Sequence, residues 1–244
     1  MSQTVFQHLR HTPNVGDLAC SPGNYLDFGP SEFRDFSAPV PPCDLLVLGG
    51  GQVFNQCADA VVNHGAAARH KVIWGVGISE TQQRGLMFDI IAPHCALIGC
   101  RDWGRAGCDY VPCASLLSPL FDAAPAPETE VVCFWHARKS GSVAAQNTYP
   151  SRDNHDISMA EAIAHMARGE TVVSNSYHGT LWAMALGRKV LCVPFSDKFN
   201  GFREPPVMAV PEDWQNALGR AERRDILEEA RAANHVFYEK VRNL

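Results

Sequence analysis

The stretch Val172-Val173-Ser174-Asn175-Ser176-Tyr177-His178-Gly179-Thr180 runs on into Leu181-Trp182-Ala183-Met184-Ala185-Leu186-Gly187. An apolar run ends in hydroxyls, an amide and an imidazole, and an apolar helical run follows. A strand that feeds straight into a helix puts their junction at the carboxyl edge of a parallel sheet, where open α/β folds bind ligands. The N–H groups at a helix start favour an anion, and Gly179 would let one approach the backbone. His178 at that point suits proton donation or acceptance. It equally suits a capping role with a structural hydrogen bond, and the local sequence leaves both open.

The elements that must position this junction can be read along the chain. Leu45-Leu46-Val47-Leu48 is a short apolar run ending in Gly49-Gly50-Gly51, a buried parallel strand closed by a glycine turn. Glycine alone tolerates such a turn, so a close backbone approach is expected there. A helix over 53–70, a strand over 71–78, a helix over 83–91 and strands over 94–100 and 109–113 complete a doubly wound rhythm. Pro, Ala and acidic residues then replace it over 118–130, which reads as a linker between two domains, 1–120 and 121–244. The rhythm resumes with a strand over 131–135 and a polar loop to residue 150 that carries His136, Arg138 and Lys139. His136, directly after that strand, is a second candidate for a ligand cleft.

Ser158-Met159-Ala160-Glu161 has the capping-box pattern and starts a helix that stops at Gly169. Strands over 171–174 and 190–193 flank the helix over 178–186, which Gly187 closes. Ile226, Ala230, Ala233 and Phe237 recur at helical spacing in a charged terminal segment, an amphipathic helix that would brace the domains. Trp74 and Trp182 fall inside apolar elements and read as core. His64, His70, His165 and His235 fall on helix-like segments and read as surface or packing residues.

The 244 residues are 46% hydrophobic, which excludes intrinsic disorder, and contain no run of the ~18 apolar residues that would span a bilayer. With 26 acidic and 21 basic side chains the formal charge is −5, and no Lys/Arg-rich run is present, which argues against a nucleic-acid partner. Residues 1–10 lack the basic-then-apolar order of a signal peptide. Nine cysteines scattered through apolar segments point to reduced thiols and a cytoplasmic location. Cys95/Cys100 and Cys108/Cys113 lack the tight spacing of zinc knuckles, so buried thiols and no metal are expected.

The Ser-x-Ser-Tyr-His-Gly-Thr segment, its Ala-x-x-Leu-Gly helix and the following Val-Pro-Phe resemble the C-terminal signature of the polysaccharide pyruvyl transferase family. Asn14-Val15-Gly16-Asp17, Gly49-Gly50-Gly51, Trp74-Gly75-Val76-Gly77, Arg101-Asp102 and Lys198 follow the family's order, so the resemblance spans about residues 12–202. It implies two Rossmann-like domains facing across a GT-B-like cleft. It also implies transfer of the enolpyruvyl unit of phosphoenolpyruvate, without a further cofactor, to hydroxyls of a glycan or sugar-lipid as a ketal.

Carried over by position, the resemblance makes His178 the general acid/base, with Tyr177, Gly179, Gly50 and Gly51 lining the site. Arg101 would grip a phosphate or carboxylate, unless it forms a surface pair with Asp102. Lys198 would add a second cation, unless it is a solvated loop residue beside Asp197. Asn14, Gly16 and Asp17 match a loop on the opposing, acceptor-side wall. Two departures stand out. Many relatives carry Arg two residues before the histidine, where this chain has Ser176, whose hydroxyl brings no charge; Arg138 or Lys139 would stand in for it. Residues 18–44, rich in Pro and Gly, read as a loop where relatives have a helix and strand. A nucleotide-sugar glycosyltransferase and a non-catalytic glycan- or anion-binding protein are the competing readings, and homo-oligomer formation is left open.

Overall fold

The computed structural model describes residues 3–78, 82–145 and 147–244. The first sheet contains β1 (Thr4–Gln7), β2 (Ser31–Arg34), β3 (Cys43–Gly51), β4 (Ala68–Val76), β5 (Leu97–Cys100) and β6 (Asp109–Tyr110). They lie in the order β2-β1-β3-β4-β5-β6, and every pair is parallel. The central strands are buried on both faces: Leu46, Val47 and Leu48 of β3 and Val72, Ile73 and Trp74 of β4 are all enclosed. A parallel sheet covered on both sides needs such continuous apolar runs. The helical segments are α1 (Val15–Leu18), α2 (Phe54–Asp59) and α3 (Gln82–Ile91).

Three expectations for this region change. Residues 18–44 are not all loop, because β2 pairs in register with β1, Thr4 opposite Ser31. The helix expected over 53–70 is α-helical only over α2, then widens through Ala60–His64 and tightens through Gly65–Ala67. It ends early because β4 begins at Ala68, where it meets Cys43, and His70 therefore sits in a strand opposite Leu45. The side chain of His64 lies outside those described.

The second sheet is built from β7 (Thr129–Trp135), β8 (Ser151–Asp153), β9 (Gly169–Ser174), β10 (Lys189–Cys192) and β11 (Val207–Met208), in the order β11-β10-β9-β7-β8. Its strand pairs are also parallel. Helices α4 (Gly141–Ala145), α5 (Met159–Ala167) and α6 (Tyr177–Ala185) connect the strands. Both halves of the expected capping box form at α5: the Ser158 hydroxyl accepts from the Glu161 N–H, and the Glu161 carboxylate accepts from Ser158 N–H. Gly187, at φ 65°, closes α6 by donating to the Met184 carbonyl. Left-handed backbone is a low-cost helix stop for glycine. Cys133, Val173 and Leu191 from three adjacent strands pack with Trp135 and Trp214 as the core of this unit.

The chain divides into two compact units: residues 1–12, 17–117 and 230–244 in the first, 13–16 and 118–229 in the second. The terminal helix α7 (Leu227–Arg242) was expected in the second domain, yet its residues from 230 onward belong to the first. Its buried face, Ala230, Asn234, Phe237 and Val241, explains this. The Asn234 oxygen accepts from Trp74 Nε1 at 2.9 Å, and its amide nitrogen donates to the Pro112 and Ala230 carbonyls. Phe237 meets Trp74 edge-on at 4.8 Å. Among the described residues no helix is long and apolar enough to cross a membrane.

Asn234→Ala strands the Trp74 N–H and the Pro112 carbonyl in a dry core, and a buried unsatisfied group costs about 1–3 kcal/mol. Urea denaturation should register a loss of that size; a midpoint indistinguishable from wild type would refute the role given to this amide.

Candidate functional site

Counted from its own first strand, β7, the second sheet runs second, first, third, fourth, fifth. The chain therefore leaves β7 toward β8 on one side and returns to β9 on the other. This reversal opens a crevice at the carboxyl ends of β7 and β9, the position where doubly wound sheets bind ligands. The residues that follow the strands there are His136 after β7, His155 after β8, Asn175 to His178 after β9, and Lys198 after β10.

Two buried asparagines set these loops. The Asn175 oxygen accepts the His136 N–H at 2.7 Å while its nitrogen donates to the Lys139 carbonyl at 3.1 Å. The Asn154 oxygen accepts from Ala137 N–H at 2.9 Å, and its backbone N–H reaches the Trp135 carbonyl. The Ser140 hydroxyl adds a bond to the His136 carbonyl. The turn over 136–139 is thus held from both neighbouring strands.

His178 occupies the first turn of α6, where Ser176 is the N-cap and its hydroxyl accepts from Gly179 N–H at 3.4 Å. The ring of His178 is 5.4 Å from Trp182 and 5.7 Å from Tyr177. It lies directly over Gly16: a Cβ there would come within 2.1 Å of His178 Nδ1. Asn14 and Gly16, expected on the acceptor-side wall, belong instead to the second unit, whereas Asp17 belongs to the first. Hydrogen bonds from Val15 N–H to the Asn154 carbonyl and from Asp156 N–H to the Pro13 carbonyl, with a bridge between Asn14 and His155, fasten the segment there. The Asn14 side chain in turn accepts from Gly16 N–H at 3.0 Å.

Several candidates make packing or backbone contacts within the protein. Gly179 is needed because a Cβ would sit 2.4 Å from Ser174 Oγ and 2.6 Å from the Phe134 ring, so its open face is filled by protein. Tyr177 is buried and stacks on Phe202 at 4.6 Å. Arg138 and Lys139 have exposed side chains, and it is their backbone that shapes the turn.

His136 and Lys198 belong together. The Lys198 ammonium lies 4.3 Å from the centroid of Phe195, whose ring meets His136 edge-on at 5.3 Å. His155 is 6.3 Å from His136, ring to ring. Burial, with the neighbouring charges of Lys198, His155 and Lys139, pushes His136 down from 6.5 to about 4, so it is neutral near pH 7. A groove of about 820 Å³ opens nearby, with Trp135, Ser140, Arg152, His155, Glu161 and His165 among its walls.

In the first unit, Gly49, Gly50 and Gly51 all have positive φ, at 110°, 61° and 84°. The close approach expected at this turn is to protein: a Cβ on Gly50 would lie 2.1 Å from Cys20 Cβ, and one on Gly51 would lie 3.1 Å from Asp17 Oδ1. Arg101 is buried and donates to Gln52 Oε1 at 2.9 Å, while Asp102 accepts from Ile78 N–H at 2.5 Å. The surface-pair reading of Arg101 therefore fails. The cysteines pair differently from their spacing: Cys113 meets Cys20 at 3.7 Å, and Cys100 shares a hydrogen bond with Cys108.

Asn154, Asn175, His155 and Phe195 escaped sequence reading as site residues. Only their positions just after strands could have flagged them. No family model and no curated protein matches the chain. A solved structure of an uncharacterized protein from Klebsiella pneumoniae subsp. pneumoniae NTUH-K2044 aligns over 82% of this chain and 85% of its own, at 16% identity and a TM-score of 0.56. An alpha-glucosyltransferase solved with UDP and a 13-mer DNA containing a central A:G mismatch aligns over 98% and 95%, at 8% identity and a TM-score of 0.46. The first likeness concerns the fold alone.

Gly16→Ala should displace the His178 imidazole, seen as a shift of its ring signals in NMR with the fold retained; unmoved signals would disprove the packing. The depressed His136 also has a stability consequence. Between pH 6.5 and about 4 the unfolded chain binds the proton that the folded one refuses, so stability falls as pH falls through that window. His136→Asn should flatten this part of the pH–stability profile in chemical denaturation, and an unchanged slope would contradict it.

Proposed function

We propose that the chain is a phosphoenolpyruvate-dependent pyruvyl transferase of the polysaccharide pyruvyl transferase type, acting on hydroxyls of a glycan or glycan precursor. The observation that carries this reading is His178 held against Gly16 at the start of α6, on the sheet edge where His136, His155 and Lys198 also emerge. An acid/base on the same sheet edge as a lysine and two further imidazoles suits a substrate with a phosphate, a carboxylate and a carbon to be protonated. Ser176, which replaces the arginine of many relatives, is used as the helix cap. The positive charge of the site would then come from Lys198, with the neutral His136 ring as a hydrogen-bond donor.

In this mechanism His178 donates its proton to the methylene carbon of phosphoenolpyruvate. Positive charge develops at the adjacent carbon, and a sugar hydroxyl attacks it, losing its own proton. Phosphate departs with the bridging oxygen by C–O cleavage, and a second hydroxyl closes the ketal. One phosphoenolpyruvate and one diol thus yield one ketal and one phosphate, with no change of oxidation state.

Reaction in heavy water with phosphoenolpyruvate and an acceptor should place one solvent deuterium in the product methyl group. His178→Asn should bind the donor yet lose roughly 10²–10⁴-fold in rate. Product without solvent deuterium excludes the chemistry, and full activity of the Asn variant removes His178 from proton transfer. Turnover of a nucleotide sugar instead would replace this reading with glycosyl transfer.

A further inference from the structure

We propose that the loops after β7, β8 and β10 form a seat for the phosphate group of a phosphate monoester, gripped by His136, His155 and Lys198. The proposal deepens the pyruvyl-transfer reading, on which it rests only for the identity of the monoester as phosphoenolpyruvate.

Three observations carry it. The first is placement, since the three groups follow three strands at the carboxyl edge, and β7 borders the crevice where the strand order reverses. The second is the fixed tautomer of His136. Its Nδ1 accepts the Arg138 N–H at 3.3 Å, so the neutral ring carries its proton on Nε2 and offers it as a donor. The turn that presents this ring is held by Asn175 and Asn154 and is therefore preorganised.

The third observation is like-charge crowding. Lys198 on the segment after β10, His155 after β8 and Lys139 on its own turn all act against protonation of His136. Of the carboxylates on these segments, Asp153 accepts the His155 backbone N–H at 2.9 Å, and Asp156 and Asp197 lie beside His155 and Lys198 in the chain. Phe195 links His136 and Lys198, its ring 5.3 Å from the imidazole and 4.3 Å from the ammonium. A phosphate oxyanion among these groups would accept hydrogen bonds from each and offset their mutual repulsion.

The test uses the full chain, with histidine ring signals followed by long-range ¹H–¹⁵N NMR. In the absence of anion His136 should show the Nε2–H tautomer and titrate near 4. Adding inorganic phosphate or phosphoenolpyruvate should raise that midpoint by about one pH unit or more, equivalent to about tenfold tighter binding to the protonated ring. Lys198→Ala should do two opposite things: raise the His136 midpoint in the anion-free protein and weaken phosphate binding several-fold.

A midpoint that ignores phosphate, or a Lys198→Ala protein that binds phosphate unchanged, overturns the seat. A larger response to UDP-glucose than to phosphate overturns its assignment to a monoester. The two readings also fail separately. Pyruvyl turnover without a response of His136 would leave the enzyme reading standing and remove the seat. A response to phosphate without pyruvyl turnover would do the reverse.

Discussion

The side-chain amide of Asn175 joins the turn after β7 to the start of α6, accepting from His136 N–H and donating to the Lys139 carbonyl. Parallel strands pair only along their own length, so the loops beyond their carboxyl ends have no ladder to fix them. A buried amide that spends its oxygen on one loop atom and its nitrogen on another supplies that missing register. The assignment of its two ends follows from the partners, because reversal would set donor against donor and acceptor against acceptor. His136 and the helix that carries His178 thereby share one support. Asn154 repeats the device on the β8 side, where its backbone carbonyl also receives Val15.

Both sheets use the same sequence of strand placements, yet they fill the resulting crevice differently. In the first unit the glycine turn at the end of β3 is closed by the backbone and side chain of Cys20. In the second, the corresponding strand ends give way to imidazoles, amides and hydroxyls. Topology fixes where a ligand can approach, and side-chain chemistry decides which of two similar edges is equipped for one.

What could be read from the sequence was local. The capping box of α5 lies within four residues, and the polar junction before α6 follows directly from an apolar run. The glycine turn after β3 was also legible, but its neighbour Cys20 is remote in sequence, so an approach to protein looked like an approach to ligand. Asn234 shows the same limit. Helical spacing marked Ala230 and Phe237 as a buried stripe, but a polar residue inside that stripe becomes intelligible only through Trp74, 160 residues earlier. The strands β1 and β2 have four residues each and owe their existence to neighbours across the sheet. Asn154 and Asn175 went unnoticed because nothing in their own surroundings reveals partners 17 and 39 positions away.

Four residues near the amino terminus, Pro13 to Gly16, are built into the second unit although the chain on both sides of them is built into the first. Gly16 is the floor under the His178 imidazole, and Pro13 and Val15 complete the backbone bonding of the loop after β8. The two units are therefore not separable by any single cut in the polypeptide. A fragment beginning at the linker would contain every strand of the second sheet and still lack the surface on which its histidine rests. Exchange of whole units between related chains would carry the same cost unless this short segment travelled with its sheet.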